Sequence, residues 1–209
     1  MASTSPRIYQ AADSSAPTLV LAHGAGAGHD HAWMRRVAAA LASRGVHVAT
    51  FDFPYVVARR SVPDKADVLE AAFRAVWAEV AGKARGRVFA GGKSMGGRIA
   101  SQVAAAQGFD PALAGLVFFG YPLHPPGKPE QRRDRHLPAI TAPMLFLHGT
   151  RDPFGSPDEM QALTGTLSLA TLSIVEGGDH SLVAPKRQDS GGTSVERAVE
   201  TAVAWMAGE

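Results

Sequence analysis

The sequence predicts a three-layer α/β/α fold, in which a mainly parallel sheet of about six to seven strands lies between two layers of helices. Short apolar segments of strand length alternate along the chain with longer segments whose apolar residues recur every three or four positions. The strand segments are apolar almost throughout, which is typical of strands buried on both faces of a sheet. Strands that alternate with helices form right-handed βαβ units, and these units place helices on both sheet faces.

The central strands are predicted from short apolar runs, the first of which is also β-branched and is followed by a glycine-rich turn. In chain order these runs are Thr18–Ala22, Val46–Phe51, Arg87–Ala90, Gly115–Phe119, Met144–Leu147 and Thr171–Val175. Arg7–Gln10 is a further candidate, as an extra edge strand.

The helices are predicted from apolar residues at helical spacing, and two of them end at Gly45 and Gly108. The predicted helices are Trp33–Arg44, Asp64–Lys83, Ile99–Gln107 and Thr193–Met206. The proline-rich segment from Pro122 to Pro143 is the longest irregular stretch. It lies between two predicted strands, so we interpret it as a loop and not as a domain boundary.

Length and composition are those of one globular domain covering residues 1–209. Hydrophobic residues make up 45% and charged residues 19% of the chain, so the sequence can form a full core. The chain has no cysteine. Disulfides, thiolate metal sites and cysteine nucleophiles are therefore excluded.

The charge of the chain is mild, with a formal value of +2. The densest basic cluster, from Lys128 to Arg135, is interrupted by Glu130 and Asp134, which favours a solvated segment over a nucleic-acid or other anionic-ligand surface. We find neither a secretory signal nor an apolar run of the roughly 20 residues that span a bilayer. These features predict a cytoplasmic protein with no nucleic-acid or membrane partner, and they do not indicate its oligomeric state.

A candidate nucleophile lies in the segment Gly92-Lys93-Ser94-Met95-Gly96, which matches the pattern G-x-S-x-G. The motif directly follows one predicted strand and directly precedes a helix, as a nucleophile elbow requires. Such a turn is too tight for side chains on its flanks and holds the serine in strained backbone geometry with its hydroxyl exposed. The sequence therefore predicts Ser94 as a nucleophile and the N–H of Met95 as one oxyanion donor. A serine that merely caps the helix is the alternative.

The candidate acid and base follow two later strands, in the chain order serine, acid, histidine. Asp152 comes after the strand at Met144–Leu147, and His180 comes after the strand at Thr171–Val175. We expect His180 to take the serine proton and Asp152 to hold the imidazole in the correct tautomer. Asp179 is the nearest rival acid, but as the immediate neighbour of His180 it would have difficulty reaching Nδ1.

The glycine-rich turn from His23 to Gly28 follows the first central strand and can present inward backbone N–H groups. We expect the second oxyanion donor to be the N–H of Ala25, with Gly26 as the less favoured alternative. A phosphate loop is disfavoured because no Gly-Lys-Ser/Thr follows the glycines. A metal site from the histidines of this segment is disfavoured because His29 and His31 would point to different sides of a helix. We expect no metal and no cofactor, and we expect Asp30 to cap the following helix.

With these motifs assembled, the chain resembles the α/β-hydrolases, and in particular the dienelactone-hydrolase-like group. It is most similar to a branch of lidless bacterial hydrolases with eukaryotic relatives among testis-expressed proteins and a histone-acetyltransferase-complex subunit. The matching motifs are HGAGAG at 23–28, FDFPY at 51–55, GGKSMGGR at 91–98, GYPLHPPGKP at 120–129, GTRDPFG at 149–155 and GGDHS at 177–181. The resemblance implies a minimal α/β-hydrolase fold with no lid domain and a triad of Ser94, Asp152 and His180. Many dienelactone hydrolases use a cysteine nucleophile, which this chain lacks, so that activity is not expected.

These features predict a serine hydrolase that cleaves carboxylic esters of small or exposed acyl substrates through an acyl-enzyme. Tyr121, Leu123 and His124 follow the strand after the nucleophile helix, so we expect them to line the substrate pocket. We expect Lys93 to be solvent-exposed, although a position beside the pocket would favour an anionic substrate. Two alternatives stay open: a non-catalytic interaction module on a hydrolase scaffold, and an acyl transferase or peptidase that uses the same triad.

Overall fold

The computed structural model describes residues 5–110, 113–189 and 191–208, and it contains a seven-stranded sheet. The strand order is β1-β3-β2-β4-β5-β6-β7, with β1 antiparallel to β3 and every other neighbouring pair parallel. The predicted α/β class and the strand count of six to seven are confirmed. The predicted domain limits at residues 1 and 209 lie outside the described residues.

The strands and helices alternate as the sequence pattern predicts. The strands are β1 (Arg7–Tyr9), β2 (Thr18–Ala22), β3 (His47–Phe51), β4 (Val88–Lys93), β5 (Gly115–Phe119), β6 (Met144–Gly149) and β7 (Ala170–Val175). The α-helices are α1 (Ala32–Ala42), α2 (Pro54–Val57), α3 (Ala66–Ala81), α4 (Met95–Ala105), α5 (Pro157–Thr164) and α6 (Ser194–Ala207).

Two apolar clusters, one on each face of the sheet, form the core. One cluster joins the sheet to α3, α4 and α5, and the other joins it to α1 and α6. Four central strands (β2, β4, β5 and β6) alternate their side chains between these clusters, which explains why their sequences are apolar at nearly every position. The three predicted layers are therefore present.

Some helix boundaries differ from the sequence-based predictions. Helix α4 begins at Met95, four residues before the predicted start at Ile99. Its first turn contains Gly96 and Gly97, and glycine has a low helix propensity, so this turn is not evident from the sequence. Helix α5 was not predicted, although Ser156 and Glu159 form a complete capping box at its start. The short helix α2 was also not predicted.

The cap of α1 also differs from the prediction. His31, not Asp30, is the N-cap, and its Nδ1 accepts a hydrogen bond from Trp33 N at 3.2 Å. The Asp30 carboxylate instead pairs with the guanidinium of Arg7. The expectation that Asp30 caps this helix is therefore wrong.

The segment between β5 and β6 contains only one regular element, a 3-10 helix at Leu137–Ala139. A lid domain would be inserted here, so its absence from this described segment agrees with the predicted lidless fold. None of the helices in the described ranges is both long enough and apolar enough to cross a bilayer. The predicted cytoplasmic location stays a prediction.

Candidate active site

Ser94 lies in a sharp turn between β4 and α4, at the carboxyl end of the sheet. Its backbone has φ 51° and ψ −117°, a conformation that side-chain-bearing residues rarely adopt. The turn presents the serine side chain at the rim of a cleft, which Ser94 lines. This strained backbone conformation and the position facing the cleft are those expected of a nucleophile elbow.

The two glycines of the G-x-S-x-G motif allow the elbow to pack against the sheet. A Cβ atom on Gly96 would lie 2.4 Å from the carbonyl oxygen of Ala22 in β2. A Cβ atom on Gly92 would lie 2.5 Å from the carbonyl carbon of Gly96. Backbone atoms fill both spaces, so a side chain at either position would move the turn that carries Ser94.

We expect Gly96→Ala to destabilise the protein by about 1–3 kcal/mol or more, because the added methyl group would overlap backbone that cannot yield easily. The free energy of unfolding from urea titration measures this loss. Gly165→Ala is the matched control, since its φ is −63° and the nearest atom to the new Cβ lies 3.2 Å away. Equal destabilisation by the two substitutions would contradict a special packing requirement at Gly96.

Ser94, His180 and Asp152 form a continuous chain of hydrogen bonds. Both oxygens of the Asp152 carboxylate accept from His180 Nδ1–H, at 2.9 and 2.8 Å. A neutral imidazole with its proton on Nδ1 has an acceptor at Nε2, and the Ser94 hydroxyl donates to that atom at 2.8 Å. The geometry allows an imidazole to remove the serine proton while a carboxylate stabilises the resulting positive charge.

The Asp152 carboxylate is held rigidly in a fully buried position. Its Oδ1 accepts from the N–H of Phe154 at 2.9 Å, and the Phe154 ring stacks on the His180 imidazole with centroids 4.1 Å apart. His148 lies beneath the carboxylate, with Nδ1 3.7 Å from Asp152 Oδ2. Burial lowers the pKa of His148, and its Nε2–H donates to Gly155 O at 2.8 Å. Sequence reasoning gave no role to Phe154, although it lies in the GTRDPFG motif at 149–155.

Asp179, the alternative candidate for the acid that binds His180, makes different contacts. Its Oδ1 accepts from the N–H groups of Ser181 and Val183, at 2.7 and 3.1 Å. The carboxylate thereby closes the turn that carries His180. The described contacts of the imidazole Nδ1 are with Asp152 and not with Asp179.

The glycine-rich turn after β2 lies against the elbow, as predicted. A Cβ atom on Gly24 would lie 3.5 Å from the Ser94 Cβ, and Ala25 and Gly26 both line the cleft. Met95 is the first residue of α4, so its N–H has no acceptor within the helix. Met95 and Ala25 line the same cleft as Ser94, so their N–H groups stay the candidate oxyanion donors.

His23 anchors this glycine-rich turn from inside the protein. The N–H of Phe53 donates to His23 Nε2 at 3.1 Å, so Nδ1 carries the proton and donates to Gly24 O at 2.9 Å. The side chain is fully buried, and burial lowers its pKa. His23 is therefore held as a neutral structural support next to the candidate oxyanion donors.

The cleft at Ser94 has a volume of about 580 Å³. Its lining combines apolar and basic side chains from the elbow, the glycine-rich turn, the loops after β5, β6 and β7, and the starts of α1 and α3. The lining residues include Met34, Leu69, Pro122 and Phe154 as apolar groups and Lys93, Arg98 and Arg133 as basic groups. Lys93 is only partly exposed, and its Nζ lies 5.5 Å from the centre of the Trp33 ring. The expectation of a simply solvent-exposed Lys93 is therefore wrong.

Tyr121, Leu123 and His124 do not line this cleft, so the expected substrate-binding role is corrected. Tyr121 and Leu123 are buried in the core, where the Tyr121 ring packs against neighbouring phenylalanines and its hydroxyl donates to Arg133 O at 2.7 Å. His124 is buried against Glu159 of α5. Gly120, with φ +69°, turns the chain inward at the end of β5, and of this segment only Pro122 reaches the cleft.

A second serine–histidine pair lies inside the protein. Ser101 Oγ is 2.7 Å from His136 Nε2, but Ser101 is fully buried on α4 and also donates to Arg98 O. Neither residue lines the cleft at Ser94, and the contacts of His136 in the described part of the chain include no carboxylate hydrogen bond. The pair connects α4 to the β5–β6 loop.

The histidines near the glycine-rich turn do not converge. Asp52 accepts from the N–H of His29 at 2.7 Å, and His29 Nε2 lies 3.6 Å from Asp52 Oδ2. Across the described residues, no group of three or more histidine, aspartate or glutamate side chains has the arrangement of a metal site.

Comparison with known proteins gives the family. The family model described as an alpha/beta hydrolase domain matches residues 15–207. The chain belongs to the α/β-hydrolases. Its hydrolase fold is shared with a lidless α/β serine hydrolase from Xanthomonas campestris, at 19% identity and a TM-score of 0.68 over 93% of this chain and 87% of that one. A dienelactone hydrolase from Anabaena variabilis matches at 18% identity and a TM-score of 0.73, covering 96% and 89%.

A third structure shares the same fold. Est1E from Butyrivibrio proteoclasticus, solved with bound ferulic acid, is 13% identical with a TM-score of 0.73, covering 97% of this α/β-hydrolase and 93% of that chain. At these identities the likeness shows the shared fold. The substrate of this α/β-hydrolase has to be argued from its own cleft.

Proposed function

We propose that this α/β-hydrolase is a carboxylic-ester hydrolase that works through an acyl-enzyme on Ser94. The observation that carries the proposal is the unbroken chain of hydrogen bonds from Ser94 through His180 to Asp152. Its serine end opens onto a cleft, whereas its carboxylate end is fully buried. A nucleophile that faces a cleft and is joined through an imidazole to a buried carboxylate is what acyl transfer to serine requires.

In the proposed reaction, Ser94 Oγ attacks the ester carbonyl carbon while its proton passes to His180 Nε2. The developing oxyanion accepts hydrogen bonds from the N–H groups of Met95 and Ala25. His180 then gives the proton to the departing alcohol oxygen, and the C–O bond to the alcohol breaks. Water attacks the acyl-enzyme with His180 as base, and release of the carboxylic acid restores the Ser94 hydroxyl.

The open cleft favours small or exposed acyl groups over long lipid chains. No helical domain is inserted in the described loop between β5 and β6 that could enclose a long apolar chain. The GYPLHPPGKP segment at 120–129 also supports our placement of the chain nearest the branch that includes testis-expressed and histone-acetyltransferase-complex relatives.

The test is to combine short-chain p-nitrophenyl ester hydrolysis with labelling by a fluorophosphonate probe. We expect turnover of the esters and one probe adduct per chain, located by mass spectrometry on the peptide that contains Ser94. Labelling without ester turnover would favour an acyl transferase or peptidase. The absence of both would contradict the proposal and favour the non-catalytic interaction module.

A further inference from the structure

Three basic side chains line the same cleft as Ser94, namely Lys93, Arg98 and Arg133. The described lining includes one carboxylate besides these cations, that of Asp64. Asp64 Oδ1 already accepts from the Arg60 guanidinium at 2.6 Å. The wall of the cleft therefore has an excess of positive charge close to the candidate nucleophile.

Neither arginine has a carboxylate partner among the residues that the structure describes. Within the described ranges, no aspartate or glutamate oxygen lies within ion-pair distance of either guanidinium. The Arg98 side chain donates a long hydrogen bond of 3.3 Å to Gln102 Oε1, its one polar contact with the part of the chain that the structure describes. The nearby acids are engaged elsewhere: Glu70 pairs with Arg74 at 3.6 Å, and Asp134 pairs with Arg132.

Both arginines are only partly exposed and lie close enough to repel each other. Burial lowers the pKa of Arg98, and the positive charge of Arg133 lowers it further. Guanidinium groups stay protonated despite such shifts, so the arrangement holds two unneutralised charges together. A bound anion would relieve the repulsion and complete the hydrogen bonding of both groups.

The backbone places both arginines toward the cleft before any ligand arrives. Arg98 lies one turn after Ser94 on α4, and its N–H donates to Ser94 O at 3.1 Å. Long side chains on a helix lean toward its N-terminus, which here is the elbow. Arg133 is fixed from two sides, because its N–H donates to Leu123 O at 2.8 Å and its carbonyl accepts from the buried Tyr121 hydroxyl.

We propose that Arg98 and Arg133 form a carboxylate-binding subsite beside Ser94, so that the preferred substrate is an ester that also carries a carboxylate group. The planar guanidinium fork matches the two oxygens of a carboxylate. Asp64 lines the same cleft and disfavours a more highly charged group such as phosphate. This inference rests on the proposed function for the ester bond and adds the class of substrate.

The experiment compares two pairs of esters that differ only in a carboxylate against a carboxamide. Monomethyl adipate and methyl adipamate place the charge on the acyl side, and acetoxyacetate and acetoxyacetamide place it on the alcohol side. Acid release at constant pH gives kcat/KM for each. We expect wild type to prefer the charged member of at least one pair by about 10- to 100-fold, the contribution of a charge-assisted hydrogen-bonded pair.

Arg98→Gln and Arg133→Gln should each reduce that preference ratio about tenfold. Arg135→Gln is the matched control, because Arg135 is an exposed arginine in the same loop and should leave the ratio unchanged. Equal kcat/KM values of wild type within both pairs, or a ratio retained in both variants, would overturn the subsite. Two separate variants keep the test decisive if one of them does not fold.

Calorimetric titration with free adipate separates failure of the subsite from failure of the proposed function. If no ester is hydrolysed, adipate binding to wild type that is lost in Arg98→Gln and kept in Arg135→Gln still supports the subsite. The absence of adipate binding together with hydrolysis of neutral esters contradicts the subsite and leaves the proposed function intact.

Discussion

Replacing Ser94 by alanine is expected to lower kcat for short ester substrates by at least about 10⁴-fold. The substitution removes the hydroxyl that the strained elbow holds in position for attack. Among the described contacts, it is also the only hydroxyl within hydrogen-bond distance of His180 Nε2, at 2.8 Å. The fold should persist, because the serine side chain lies at the cleft rim and not in the core. Initial rates of p-nitrophenyl acetate hydrolysis, with circular dichroism to verify folding, measure the effect.

Ser101→Ala is the matched control for this prediction. It removes the other serine hydroxyl that contacts a histidine, at 2.7 Å from His136 Nε2, but that hydroxyl is fully buried and away from the cleft. We expect a loss of about 1–3 kcal/mol in stability, because the substitution removes the hydrogen-bond partner of the partly buried His136, and little change in rate. If Ser101→Ala abolished hydrolysis while Ser94→Ala did not, the assignment of the nucleophile would have to be exchanged.

Replacing Asp152 by asparagine is expected to lower kcat by about 10⁴-fold at neutral pH. The amide group can donate to His180 Nδ1, which would move the imidazole proton to Nε2. An Nε2 that carries a proton can no longer accept from the Ser94 hydroxyl, so the base is lost although the geometry is kept. Steady-state hydrolysis of the same ester measures the change.

Asp179→Asn applies the same change of chemistry one residue before His180. The Asp179 carboxylate accepts from two backbone N–H groups, and the oxygen of an asparagine side chain can still accept from them. We therefore expect a much smaller reduction in kcat than for Asp152→Asn. A loss of equal size would indicate that the position of His180, and not its tautomer, limits the rate.

The parts of the site that could be predicted from the sequence are those defined by local chemistry. The elbow at Ser94 requires glycines on both sides, because backbone fills the space where their side chains would lie. The positions of Asp152 and His180 after successive strands place them at one edge of a parallel sheet, whatever the details of the loops. In the structure these three side chains are in hydrogen-bonding contact.

The lining of the cleft could not be predicted in the same way. Tyr121 follows a strand end, as pocket residues often do, but Gly120 turns it into the core. Phe154 lies in the GTRDPFG motif at 149–155, but only the structure shows that its ring stacks on His180. The direction of a loop side chain depends on the space that remains after the helices and strands have packed together.

The sequence by itself determined the α/β class, the order of the central strands along the chain and the three side chains that meet at the sheet edge. Hydrophobic periodicity and tight turns depend on residues close together in the chain, so they can be recognised from the sequence. Only the tertiary structure decided that Arg98 and Arg133, from a helix and a distant loop, lie in one cleft with no carboxylate partner among the described residues. The charge balance of a cleft is a sum over segments far apart in the chain, and only their packing shows which charges are neutralised.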